Sequence, residues 1–135
     1  MKNSLLFIVF IIVTSWCHAQ IVAIDPPLFT MDDEITITYD ATLGSGGLVG
    51  VTPVYAHTGI ITSAGGPGNW QNVQGNWGTA DANVVMAPIG NDKHLIKFVP
   101  RDFYSIDEGE EVVQLAFVFR NEDGSKEGKT NMTKP

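Results

Sequence analysis

The run Val112-Val113-Gln114-Leu115-Ala116-Phe117-Val118-Phe119-Arg120, followed by Asn121-Glu122-Asp123-Gly124-Ser125, decides the fold class of this chain. Val113, Leu115, Phe117 and Phe119 alternate with Val112, Gln114, Ala116, Val118 and Arg120. That is the period of a β-strand, whose side chains leave on opposite faces. β-Branched and aromatic residues dominate, as a pleated surface favours. Asp123-Gly124 supplies the positive φ of a tight hairpin turn. A return strand is expected next. Lys126 to Pro135 is instead Lys-Glu-Gly-Lys-Thr-Asn-Met-Thr-Lys-Pro, polar and without alternation. Residues 126–135 therefore read as a disordered tail, and the fold as lacking its last strand.

The same period recurs upstream. Ile35, Ile37 and Tyr39 alternate with Thr36, Thr38 and Asp40. From Val54, the residues Val54, Ala56 and Thr58 share one side and Tyr55, His57 and Gly59 the other. Trp70 to Gln74 and Val84 to Ile89 are shorter candidates. His94, Ile96 and Phe98 oppose Leu95, Lys97 and Val99. Gly/Pro/Asn-rich turns separate these runs. Asp25-Pro26-Pro27 marks Ile21 to Phe29 as an edge segment, because proline cannot donate to a ladder. Pro100 to Glu111 reads as an acidic loop with Phe103, Tyr104 and Ile106 as apolar plugs. No amphipathic helix is evident. The expected fold is all-β, an immunoglobulin-like antiparallel β-sandwich over residues 20–125. No domain repeat is present; Gly68-Asn69-Trp70 is echoed locally by Gly75-Asn76-Trp77.

The first 19 residues differ in kind. Lys2, the apolar run Leu5 to Val13 and small residues at Cys17 and Ala19 make a secretory signal peptide cleaved before Gln20. The run is shorter than the roughly 20 residues that span a bilayer. The expected location is therefore secreted or at the cell surface. Cys17 is the only cysteine, so the exported domain rests on its core without disulfides. Seven basic residues against fifteen acidic remain after Ala19, a net charge of −8. That balance disfavours nucleic acid and anionic membrane surfaces as partners.

Catalysis has little support in the residues. The carboxylates cluster in turns, at Asp32-Asp33-Glu34, Asp107-Glu108 and Glu110-Glu111. No nucleophile motif accompanies His57 or His94. Two distant histidines do not make a transition-metal site, no cofactor is expected, and calcium stays open. Binding by ring faces is the remaining class. Tyr55 and His57 share one sheet face, and Trp70, Gln71 and Asn72 follow on the next strand. A flat indole beside an imidazole stacks on the C–H face of a sugar, while His, Gln and Asn tips meet its hydroxyls. Trp77 reads as more structural than Trp70.

The pieces Val54-Tyr-Ala-His-Thr-Gly59, Trp70-Gln-Asn-Val73, Met86, Gly75-Asn-Trp-Gly78 and Phe117-Val-Phe-Arg-Asn-Glu-Asp-Gly124, with the opening Asp25 to Asp40, carry a resemblance. Over Ile24 to Lys129 the chain resembles starch-binding carbohydrate-binding modules of families twenty-five and twenty-six. It is more closely similar to the N-terminal domain of large secreted amylase-like proteins of the Bacteroidetes. The resemblance implies a sandwich that binds α-glucan without hydrolysing it, with His57 and Trp70 at the contact positions. It also implies a catalytic domain in a longer parent protein. The chain departs from that pattern after the last hairpin, where Lys126, Glu127 and Gly128 stand in place of an aromatic contact. A structural spacer that positions a partner domain is the alternative function.

Overall fold

The structure, a computed structural model, describes residues 20–128. The signal-peptide reading and the tail from Lys129 onward lie outside the described residues. Alternation in the sequence becomes alternation in burial. In β2 (Ile35–Asp40) Ile35, Ile37 and Tyr39 are buried and their neighbours are not. In β6 (Lys93–Phe98) His94, Ile96 and Phe98 are buried. The two pair antiparallel from Ile35↔Phe98 to Asp40↔Lys93. β1 (Val22–Asp25) pairs with β2 and ends where Pro26-Pro27 withdraws the donors. On the other side β5 (Val85–Gly90) joins β6, and through Val54↔Met86 and Tyr55↔Val85 it also joins β3 (Val54–Thr62). β7 (Val112–Arg120) runs the length of β3 from Tyr55↔Arg120 to Thr62↔Val112. β4 (Gln71–Gln74) takes the remaining part of the opposite edge of β3.

The order is β1-β2-β6-β5-β3-β7-β8, where β8 is the short arm Glu127–Gly128, with β4 beside β3 and every pairing antiparallel. The sheet curls until its two halves face one another across one core, giving an all-β, sandwich-like fold. Tyr39 from β2 meets Phe119 from β7 face to face, centroids 4.1 Å apart and 14° from parallel. Val54, Ala56 and Ile60 of β3 and Met86 of β5 fill the space between the halves. Leu115 and Phe117 pack at its margin.

One end of the core is closed by a single helical turn, α1 (Pro100–Tyr104), where the sequence reads as a loop. Pro100 stands at its start, where a missing N–H is harmless. Ser105 ends it in the left-handed region and donates to the Asp102 carbonyl. Five residues are too few to show a 3.6-residue period, so nothing in the pattern announces it. The turn nevertheless delivers the apolar plugs. Tyr104 and Ile106 are buried, and Phe103 stacks on Phe98 at 4.1 Å. The Tyr104 hydroxyl donates to Thr58 Oγ1 at 2.6 Å, and Thr58 donates to the Ala116 carbonyl at 2.7 Å. The buried Thr58 hydroxyl is thereby satisfied in both roles. Burial pushes the Tyr104 phenol well above its usual range.

Residues 127 and 128 correct the expectation of a tail from residue 126 onward. They form β8 (Glu127–Gly128), paired as Arg120↔Glu127 and Phe119↔Gly128. The arm is two residues long among the described residues, too short for alternation to reveal it. Close approach selects its sequence instead. A Cβ on Gly128 would overlap the Tyr39 hydroxyl, and a Cβ on Gly47 would overlap the Glu127 carbonyl. Gly128 has no positive φ, so its requirement is space. Gly128→Ala is expected to cost about 1–3 kcal/mol, the range for overpacking, measured by urea denaturation. An unchanged midpoint would mean that β8 is not seated against Tyr39.

His94 is 2 % exposed, and both its ring nitrogens lack a hydrogen-bond partner among the described residues. Burial holds its pKa below the ordinary 6.5, against the raising influence of Asp92. The native state therefore binds fewer protons than the unfolded chain, and stability rises with pH through that window. The full contribution is present above about pH 6.5 and is lost as pH falls toward the lowered native value. Between about pH 7 and 5, His94→Phe should flatten the fall in melting temperature seen for the wild type. Parallel pH profiles for the two proteins would refute this.

Candidate functional site

The candidate site lies on the outer face of β3 and β7, opposite the core. Register places Tyr55 beside Arg120, His57 beside Val118 and Gly59 beside Ala116 on that face. Gly59 is what makes room there. A Cβ at this position would stand 3.0 Å from the Gln71 carbonyl oxygen and 3.5 Å from Trp70 Cε3. Without it the Trp70 indole lies over the strand and stacks on His57, centroids 6.0 Å apart and 26° from parallel. Trp77 meets the same imidazole edge-on at 5.4 Å and 89°. One histidine is thus flanked by two indoles.

The imidazole is fixed by a backbone carbonyl. His57 Nδ1–H donates to the Gly75 oxygen at 2.7 Å. A carbonyl only accepts, so Nδ1 carries the proton and Nε2 of the neutral ring is left as an acceptor. Gly75 is needed twice over at this turn. Its φ is +87°, and a Cβ would come within 2.9 Å of both the Ala56 oxygen and the Val84 side chain.

Arg120 closes the row and is fully buried. Nη1 donates to the carbonyls of Asn121 (3.0 Å) and Glu122 (2.9 Å). Nη2 donates to those of Asn76 (2.7 Å) and Thr79 (2.9 Å). The guanidinium lies 5.0 Å from the Tyr55 ring centre and 5.8 Å from that of Trp77. Carbonyl dipoles and ring faces here take the place of a carboxylate partner. Gly124 of the hairpin sits against Trp77, where a Cβ would fall 2.5 Å from the indole nitrogen.

The expected site residues divide accordingly. His57 and Trp70 come together and are both half-buried. Tyr55, 5 % exposed, lies beneath the Arg120 guanidinium and presents no face to a ligand. Gln71 accepts from the Thr62 hydroxyl at 3.0 Å and so serves the turn after β3. Asn72 is exposed at φ +49°, which interrupts the alternation assumed for that strand. Trp77, read as structural from the sequence, is 43 % exposed and is the one exposed aromatic among the described residues. Arg120 carried one signal in the sequence, a charged end on an apolar strand. Among the described residues no three His, Asp or Glu side chains gather into a metal-binding group. Among the described residues no helix is long and apolar enough to cross a membrane.

Residues 22–127 match the model of a family described as a domain of unknown function, DUF8578. The chain belongs to that family. The DUF8578 match runs from the first residue of β1 to the first residue of β8, so His57, both flanking tryptophans and Arg120 fall inside it. A comparison with curated proteins finds no match.

Lysine in place of Arg120 keeps the charge but cannot reach four carbonyls in fixed directions. Arg120→Lys should destabilise the domain by at least about 2 kcal/mol, since hydrogen bonds from charged donors are worth about 1.5–3 kcal/mol each. It should also red-shift the tryptophan emission as Trp77 loses its seat. Wild-type stability together with wild-type emission would count against the role given to Arg120.

Proposed function

We propose that this DUF8578 domain is a secreted, non-catalytic carbohydrate-binding module that takes an α-glucan on a shallow aromatic platform of Trp70, His57 and Trp77. The observation carrying this reading is the pair of indoles that flank one oriented imidazole on a single outer face. Sugar rings present C–H faces to indoles, and the free Nε2 acceptor suits a hydroxyl donor. The resemblance to starch-binding modules, the export signal read in residues 1–19 and the acidic charge support the same reading. One or two ring contacts correspond to roughly −4 to −8 kcal/mol, millimolar to micromolar affinity.

A ligand-free spacer that positions a partner domain is the competing reading. Its support is that Tyr55 is buried and His57 already bonds Gly75. Native gels cast with soluble starch separate the two. The wild type should be retarded, while Trp70→Ala and Trp77→Ala should run as they do without starch, with circular dichroism confirming that both remain folded. Wild-type mobility unchanged by starch or other glucans would sink the binding proposal and leave the spacer.

A further inference from the structure

Among the described residues the most exposed large apolar side chains are Leu28, at 91 %, and Val113, at 57 %. Both belong to the surroundings of one groove. A hollow of about 460 Å³ and a second of about 350 Å³ share Ile24, Gln114 and Leu115, and so run together between β1 and β7. In the smaller hollow Ile24, Phe29 and Met31 form one wall, and Val112, Val113 and Leu115 the other. Leu28 stands beside Phe29 at its margin. Apart from Val113, these wall residues also pack against the core. No charged residue among those described lines either hollow. A contiguous apolar surface of this kind with a polar rim is the mark of an interaction site.

The rim has one sign of charge. Each wall runs directly into carboxylates, Ile24 into Asp25, Met31 into Asp32-Asp33-Glu34, and Val112 back into Glu110-Glu111. The segments 25–34 and 100–111 together hold nine carboxylates and one basic residue, Arg101. They are neighbours in space, since Arg101 N–H donates to the Met31 carbonyl at 2.8 Å. Arg101 is already spent, because its guanidinium bonds both oxygens of Asp32. Asp33 is held as an anion. The Thr30 N–H and hydroxyl donate to it at 2.7 and 2.8 Å and keep its carboxyl below the usual carboxylate range. An uncharged apolar groove is thus bordered by carboxylates with no free cation in the segments that carry them.

We propose that this groove is a docking surface for a partner protein whose contact face carries apolar side chains inside a rim of lysine and arginine. Charge complementarity selects that occupant. A second copy of this chain would bring the same carboxylates against each other, and like charges across an interface oppose contact. An anionic lipid surface is opposed for the same reason. A partner with a basic rim gains twice. Its apolar side chains leave water for the groove, while its charges meet the carboxylates at the margin, where an interface keeps its polar groups. The attraction of the rim speeds encounter and weakens as salt screens it. The groove is separate from the face that carries His57, although Trp70 borders the larger hollow, and the proposal does not rest on the glycan reading.

Three synthetic peptides of equal length serve as probes, one alternating Leu with Lys, one Ser with Lys and one Leu with Glu. Titrated calorimetrically into the full chain, the Leu/Lys peptide should bind at least about tenfold more tightly than either of the others. Leu28→Ser combined with Val113→Ser changes two exposed positions, and circular dichroism checks that the domain stays folded. That variant should lose the advantage of Leu/Lys over Ser/Lys. Glu110→Gln combined with Glu111→Gln should weaken Leu/Lys binding and flatten its dependence on salt. No binding of the Leu/Lys peptide by the full chain would overturn the proposal. So would equal binding of Ser/Lys, which would reduce the effect to charge alone, or undiminished Leu/Lys binding by the folded Leu28, Val113 variant. A dimer of the wild type that this variant abolishes in sedimentation would also overturn it, since a second copy would then be the occupant.

Discussion

The buried guanidinium of Arg120 is the constraint on which the candidate site depends. An ion removed from water must find compensation within the protein, and this one finds it in four backbone carbonyls and two ring faces. The carbonyls belong to two segments far apart in sequence, the hairpin at 121–122 and the loop at 76–79. Arg120 therefore fastens that loop to the end of β7. The fastened loop begins at Gly75, whose carbonyl orients His57, and His57 in turn is the surface on which Trp70 stacks. Each step is local, yet the ring geometry traces back to one cation with nowhere else to go.

Glycine supplies the complementary constraint by leaving space. Gly59 lets an indole lie on a strand, Gly124 lets Trp77 lie on a hairpin, and Gly128 lets a backbone lie on Tyr39. The contacts differ in place but share a cause, since a planar ring packs closest against a backbone that has no side chain. The echo Gly68-Asn69-Trp70 and Gly75-Asn76-Trp77 makes the same point within the site. Both glycines adopt positive φ, +74° and +87°, and each is followed two residues later by one of the indoles flanking His57.

Much of the framework was legible because a period of two survives in the long strands. Ile35 to Tyr39, His94 to Phe98 and Val54 to Ile60 point inward where alternation places them. Legibility fails where a feature is shorter than its period or is set from a distance. The turn of helix at Pro100 and the arm at Glu127 are too brief to register as patterns. Asn72 at positive φ lies within β4 and upsets the alternation there, where the pairing with β3 shifts register. At the site, the meeting of His57 and Trp70 could be anticipated from composition and spacing. The burial of Tyr55 and the exposure of Trp77 could not, because both depend on where the Arg120 side chain comes to rest.

The position of β3 in the sheet has a consequence for how the chain acquires its structure. All of its sheet neighbours, β4, β5 and β7, come later in the sequence. Its buried Thr58 hydroxyl waits for the carbonyl of Ala116, 58 residues downstream. Pairings of such separation form slowly, because loop closure must precede any gain from contact. Until Val112 to Arg120 are available, Val54 to Thr62 is an apolar strand with no ladder on its long edge. The long edge of β3 is thus completed only by a strand near the far end of the domain.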